Sequence, residues 1–274
     1  MVAPSSNPAP KYLALANGGR LAYHRSPGRG PGLVFLGGFM SDMTGSKATA
    51  LEALARGRGQ AFLRFDYRGH GQSSGAFRDG TIGAWRDDAL AALDHLTDGP
   101  QILIGSSMGG WLMLLAALAR PARIAGLVGI AAAPDFTETL MWPAFSSEIR
   151  ETLARDGVYL APSEYGDDPY PITMDLITDG RDHLVLNGPL AIDAPVRLLQ
   201  GMRDPDVPYQ HAFRLMKALT GTDVVAQFIK DGDHRLSTDS DLARLCATVA
   251  TLSDEVTAAR HGVDSGRCWR SGRR

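Results

Sequence analysis

Ser107 stands in Gly105-Ser106-Ser107-Met108-Gly109, the G-x-S-x-G spacing of a serine nucleophile carried on a sharp turn. The apolar stretch Gln101-Ile102-Leu103-Ile104 leads into it as a strand, and residues 111–120 leave it as an apolar helix. That strand–turn–helix setting is what such a turn requires; a plain glycine-rich connection would show the same five letters. A serine hydroxyl is a weak nucleophile at neutral pH, so a base must take its proton and a carboxylate must orient the base. Of the seven histidines, His234 is the best placed, in Asp231-Gly232-Asp233-His234 between the last apolar run and the last helix. His70, in a loop, is a weaker alternative, while His95 and His211 fall within helices and read as surface residues. The acid is sought in Met202-Arg203-Asp204-Pro205-Asp206-Val207-Pro208, just after an apolar strand, because sites of parallel sheets gather at the strands' C-terminal ends. Asp204 follows the strand more closely and is the first choice, with Asp206 in reserve.

Hydrolysis through such a serine also needs two N–H groups aimed at the developing oxyanion. Met108 supplies one, at the positive end of the helix that follows Ser107. The loop Leu36-Gly37-Gly38-Phe39-Met40 supplies the other through the Phe39 N–H, since glycine lets that backbone approach the substrate. The chain order Ser107, Asp204, His234 is that of α/β-hydrolases. The stretch from Arg64 to Ser73 reads as a structural loop without chemistry of its own.

These residues must be held by a sheet. Apolar runs at 12–15, 20–24, 33–38, 61–66, 101–106, 124–130, 196–201 and 224–229 read as strands. They predict an eight-stranded, mostly parallel, doubly wound α/β sheet opened by an antiparallel hairpin at Asn17-Gly18-Gly19. Thr81 caps a helix with Ile82, Trp85, Ala89, Leu93 and Leu96 on one face, and Pro208 opens another with Phe213, Met216 and Leu219 inward. The stretch between the sixth and seventh runs is too long for a simple crossover and predicts an inserted lid of short helices at about 135–192. Its Leu140, Met141, Trp142, Phe145 and Leu160 could line an acyl pocket; the alternative is that they build the lid's own core. The expected domain spans 11–260, between a flexible N-terminus (1–10) and a disordered basic tail (261–274).

Composition bounds the function. Of 274 residues, 44% are hydrophobic and 21% charged, which suits an ordinary globule, and a net charge of −2 gives no electrostatic case for nucleic acid. Two cysteines, Cys246 and Cys268, support neither a disulfide framework nor a zinc site, and acyl transfer through a serine implies no metal or cofactor. No apolar stretch is long enough for a membrane span, and residues 1–10 lack the pattern of a signal or transit peptide. The expectation is a cytoplasmic protein in a reducing compartment.

From about Leu33 to Val256 the chain resembles one group of α/β-hydrolases, the alpha/beta-hydrolase domain-containing protein ten family. The resemblance is carried by Asp98-Gly-Pro-Gln-Ile-Leu-Ile-Gly-Ser-Ser-Met-Gly-Gly-Trp-Leu-Met-Leu, by Arg197-Leu-Leu-Gln-Gly-Met-Arg-Asp and by Asp233-His234-Arg235. It implies a nucleophile, acid and base at Ser107, Asp204 and His234, and activity as a palmitoyl-protein thioesterase and acyl-glucuronide esterase. The expected substrates are therefore acyl esters or thioesters, S-acylated proteins among them. The rival from another class is a non-catalytic small-ligand receptor on the same fold, which stoichiometric capture without turnover would reveal.

Overall fold

Each apolar run forms a strand, because a segment without polar alternation is stable only where both faces are covered. The computed structural model describes residues 9–16, 18–162 and 169–268, with 261–268 as backbone only. β1 (Lys11–Ala14) and β2 (Arg20–Ser26) form the antiparallel hairpin. β3 (Arg29–Leu36), α1 (Ser46–Arg58), β4 (Gln60–Phe65), α2 (Ile82–Leu96), β5 (Gln101–Ser106), α3 (Met108–Ala119) and β6 (Ile124–Ile130) follow. After the insertion come β9 (Val196–Gly201), α7 (Tyr209–Ala218), β10 (Val224–Ile229) and α8 (Asp239–Cys268). The eight-stranded sheet has the order β1-β2-β4-β3-β5-β6-β9-β10 and is parallel from β4 onward.

Alternate side chains of the central strands feed two cores. On β3, Leu33 and Phe35 join Ala48, Leu51 and Ala55 of α1 and Leu245, Val249 and Leu252 of α8. Val34 and Leu36 point the other way, to Trp85 and Leu93 of α2 and Trp111 and Leu112 of α3. The Thr81 hydroxyl caps α2 by accepting from the Ala84 N–H at 3.2 Å, as its sequence position predicts.

The insertion differs from a lid of helices alone. A π-helical turn (Thr137–Met141), the single turn α4 (Trp142–Ala144) and α5 (Ser147–Asp156) lead into β7 (Val158–Ala161) and β8 (Tyr170–Thr173), and then α6 (Met174–Asp182). β7 and β8 pair antiparallel as a separate two-stranded sheet. Gly157, with φ 74°, ends α5 and turns the chain straight into the β-branched and aromatic pair Val158-Tyr159. The guanidinium groups of Arg150 and Arg181 both lie over the Trp142 ring, at 5.0 and 4.9 Å. Phe145 contacts both Trp142 and Tyr159, so these half-buried aromatics pack on one another within the insertion, and Leu160 is 58% exposed. Leu140 and Met141 pack against the main core instead.

Three further expectations are corrected. Phe213 of α7 is 47% exposed and stacks on Phe228 of β10, while His211, Ala212 and Leu215 form the buried face. His211 is thus no surface residue: its Nε2 bonds the Pro134 carbonyl at 2.7 Å. The last helix runs to Cys268, past the expected boundary at 260, and no proline stands in 261–268 to stop it. Residues 1–8 of the expected flexible N-terminus and 269–274 of the expected tail lie outside the described residues. Among the described residues no helix is long and apolar enough to cross a membrane.

Candidate active site

Ser107 sits between β5 and α3 with φ 53° and ψ −119°, a left-handed conformation that costs a non-glycine residue roughly 1–3 kcal/mol. Hydrogen bonds hold it there. Its N–H donates to the Ile130 carbonyl at 2.9 Å, and its own carbonyl accepts from Gly110 and Ala133. The two flanking glycines are dictated by space. A Cβ on Gly105 would lie 2.3 Å from the Gly109 carbonyl oxygen, and one on Gly109 would lie 2.1 Å from that of Leu36.

The loop after β9 carries Asp204 and the turn after β10 carries His234. His234 Nδ1 lies 2.8 Å from Asp204 Oδ2, and its Nε2 lies 3.1 Å from Ser107 Oγ. The carboxylate accepts from Nδ1–H, which leaves Nε2 as the acceptor for the serine hydroxyl proton. The Asp204 side chain is fully buried and that of His234 is 16% exposed, so the ring bridges the interior and the surface. Asp204 Oδ1 also accepts from the N–H groups of Asp206 (2.9 Å) and Val207 (2.8 Å), and Oδ2 from Gln200 Nε2 at 3.1 Å. Asp206, the reserve choice, is exposed and serves Asp204 through its backbone. The acid and histidine turns are also tied together. Arg203 N–H donates to the Gly232 carbonyl at 2.9 Å, and a Cβ on Gly201 would meet that same oxygen at 2.4 Å.

The loop bearing Phe39 comes up against Ser107. A Cβ on Gly38 would stand 3.5 Å from Ser107 Cβ, so this position presents bare backbone to the serine. Among the described residues, neither the Phe39 nor the Met108 N–H has an acceptor. The Phe39 ring is fixed edge-on by four others: Phe77 (4.8 Å), Phe136 (5.9 Å), Trp85 (6.0 Å) and Tyr170 of β8 (6.3 Å).

Sequence reasoning missed what anchors this loop. Asp66 accepts from the Met43 N–H at 2.7 Å, Arg64 donates to the Met43 carbonyl at 2.8 Å, and Tyr67 Oη donates to Gly37 at 3.4 Å. The segment from Arg64 to Ser73 therefore holds the Phe39 loop from below. His70 belongs to that scaffold. Its buried ring packs edge-on against Tyr67, Phe77 and Trp85, and burial pushes its pKa down to about 4. Gln200 was also missed, although a glutamine inside an otherwise apolar strand, four residues before the acid, is a readable signal.

Ligand atoms of Asp204, Asp206 and His234 lie within 4.8 Å of one another. Both ring nitrogens of His234 are engaged, and four donors already reach the Asp204 carboxylate, so this cluster is spoken for by its own hydrogen bonds.

Residues 31–168 match the family model described as alpha/beta hydrolase fold. The palmitoyl-protein thioesterase ABHD10, mitochondrial, of Mus musculus is 40% identical over 238 residues, 86% of this chain and 80% of the relative. The structure of alpha/beta hydrolase domain-containing protein 10 from mouse superposes with a TM-score of 0.84 at 38% identity, covering 91% of this chain and all of that one. A crystal structure from Agrobacterium vitis S4 gives a TM-score of 0.85 at 41% identity over 90% of this chain and all of the other. The chain belongs to the α/β-hydrolase family, in the group of alpha/beta-hydrolase domain-containing protein 10.

Proposed function

We propose that this chain is a serine hydrolase that cleaves acyl thioesters and carboxylic esters through an acyl-enzyme on Ser107. The observation that carries the reading is His234, bonded at one nitrogen to Ser107 Oγ and at the other to buried Asp204. In this catalytic triad, Ser107 Oγ attacks the acyl carbonyl carbon while His234 Nε2 takes the hydroxyl proton. The Phe39 and Met108 N–H groups receive the oxyanion of the tetrahedral intermediate. Collapse breaks the bond to the leaving thiol or alcohol, which departs with the proton from His234. Water then enters, gives a proton to His234 and attacks the acyl carbon; collapse breaks the bond to Ser107 Oγ, which takes that proton back from His234 as the acid leaves. Each proton has a carrier and the electron pairs stay within the acyl chemistry, so the cycle calls for no metal or cofactor.

The substrate class follows the relatives, whose names specify palmitoyl-protein thioesterases. The insertion at 135–192 serves as a lid whose Phe136 and Tyr170 edges approach the Phe39 loop, and the acyl chain lies along that aromatic side. We place the enzyme in the cytoplasm, a reducing setting that suits its free Cys246. The relatives are named mitochondrial, and fractionation of cells distinguishes the two. A fluorophosphonate probe should label Ser107 stoichiometrically. The labelled and free enzyme are then compared on p-nitrophenyl esters from acetyl to palmitoyl, acyl-CoA and S-palmitoyl peptide. Turnover abolished by labelling supports the reading; stoichiometric ligand capture without turnover on any of these substrates overturns it.

A further inference from the structure

We infer that Gln200 is a positioning residue for the acid, setting both the orientation of Asp204 and the charge that its Oδ2 presents to His234. This rests on the assignment of Asp204 as the orienting carboxylate. Gln200 is 1% exposed, on β9 beside Leu198 and Leu199, where an apolar residue would be expected. Its Nε2 lies 3.1 Å from the Gly201 carbonyl, 3.0 Å from the Val207 carbonyl and 3.1 Å from Asp204 Oδ2. Those oxygens mark the start, the end and the middle of the acid loop, so one amide group closes the loop on its own carboxylate. The other end of the amide has nothing comparable. Gln200 Oε1 is buried with no hydrogen-bond partner among the described residues. A buried orphan acceptor is unfavourable, and a methionine of similar length would avoid it. The residue that stands there is explained by what its NH₂ does.

Two consequences follow for the chemistry. With Gln200 in place, the carboxylate accepts from Asp206, Val207, Gln200 and His234, which fills its acceptor directions and leaves it no freedom to rotate. Gln200 and His234 also share one oxygen, Oδ2. A second donor draws charge from that oxygen and moderates its hold on the imidazolium.

Gln200→Met, measured beside Asp204→Asn, tests this. The expected result is a kcat lower by roughly 5- to 50-fold with KM held within about twofold. Tm should fall modestly, because the Gly201 and Val207 carbonyls lose a buried donor. A folded Gln200→Met with wild-type kcat, beside an inactive Asp204→Asn, overturns the role of Gln200 alone. An active Asp204→Asn overturns the acid assignment and this inference together. A second measurement does not depend on how the variant folds. In wild-type protein with selectively labelled glutamine, phosphonylation of Ser107, which His234 links to Asp204 Oδ2, should shift the Gln200 carboxamide resonances. Unchanged resonances overturn the inference.

Discussion

Gly109, in the first turn of α3, lies so close to Leu36, the last residue of β3, that a Cβ on the glycine would fall 2.1 Å from the Leu36 carbonyl oxygen. The contact joins the two halves of the proposed oxyanion site, since Met108 precedes Gly109 and the Phe39 loop follows Leu36. Gly109→Ala must therefore push α3 away from β3. It should destabilise the chain by about 1–3 kcal/mol, the usual cost of overpacking, and reduce turnover more steeply than stability. Thermal melts and kcat on one ester check this; an unchanged Tm with full activity contradicts it.

The two carboxylates of the acid loop should separate cleanly. Asp204→Asn removes the partner that fixes the His234 tautomer and should lower kcat by about 10⁴-fold. Asp206→Asn should change little, because Asp206 supports Asp204 through its backbone N–H, which asparagine keeps. Steady-state kinetics of both variants decide the matter, and a reversal of the two effects names the wrong acid.

The order Ser107, Asp204, His234 and the main sheet were legible because each rests on local pattern: continuous apolar runs, glycines where turns are tight, and carboxylates just past strand ends. The insertion was less so. β7 and β8 are four residues each, and their pairing is a nonlocal contact that neither segment announces alone. On α7 Met216 and Leu219 pack inward as expected, but Phe213 satisfies the same apolar period while stacking on Phe228 outside the core. Arg64, Asp66 and Gln200 went unseen as support for the site because their value lies in buried hydrogen bonds to loops distant or hidden in sequence.

His70 makes stability depend on pH. Its folded pKa, about 4, lies below the ordinary 6.5 because burial disfavours the charged ring. The unfolded chain therefore binds the proton first as pH falls. The stabilisation is complete above about 6.5 and is lost as pH drops toward about 4, on the order of 3 kcal/mol in all. Burial lowers His211 in the same direction. Denaturant unfolding should show falling stability between about pH 7 and about pH 5. An NMR titration in which His70 protonates near 6.5 in the folded chain contradicts this account.

Asp135 ties the two ends of the insertion together. It is fully buried, adopts φ 59°, and its two carboxylate oxygens accept from the Val185 and Leu186 N–H groups, each at 2.8 Å. Asn tolerates that backbone but offers one acceptor oxygen in place of two. Asp135→Asn should therefore cost about 1–3 kcal/mol and make the insertion cleave faster in limited proteolysis. Identical Tm and cleavage rates would show that the latch carries no weight.

The most direct test of the central claim is turnover by Ser107→Ala, measured on a thioester and an oxygen ester with the fold checked by circular dichroism and Tm. Loss of the nucleophile should leave the sheet intact and lower kcat by at least about 10⁴-fold on both substrates, with no covalent acyl adduct detectable by mass spectrometry. A well-folded Ser107→Ala that hydrolyses either substrate at near wild-type rate contradicts the account.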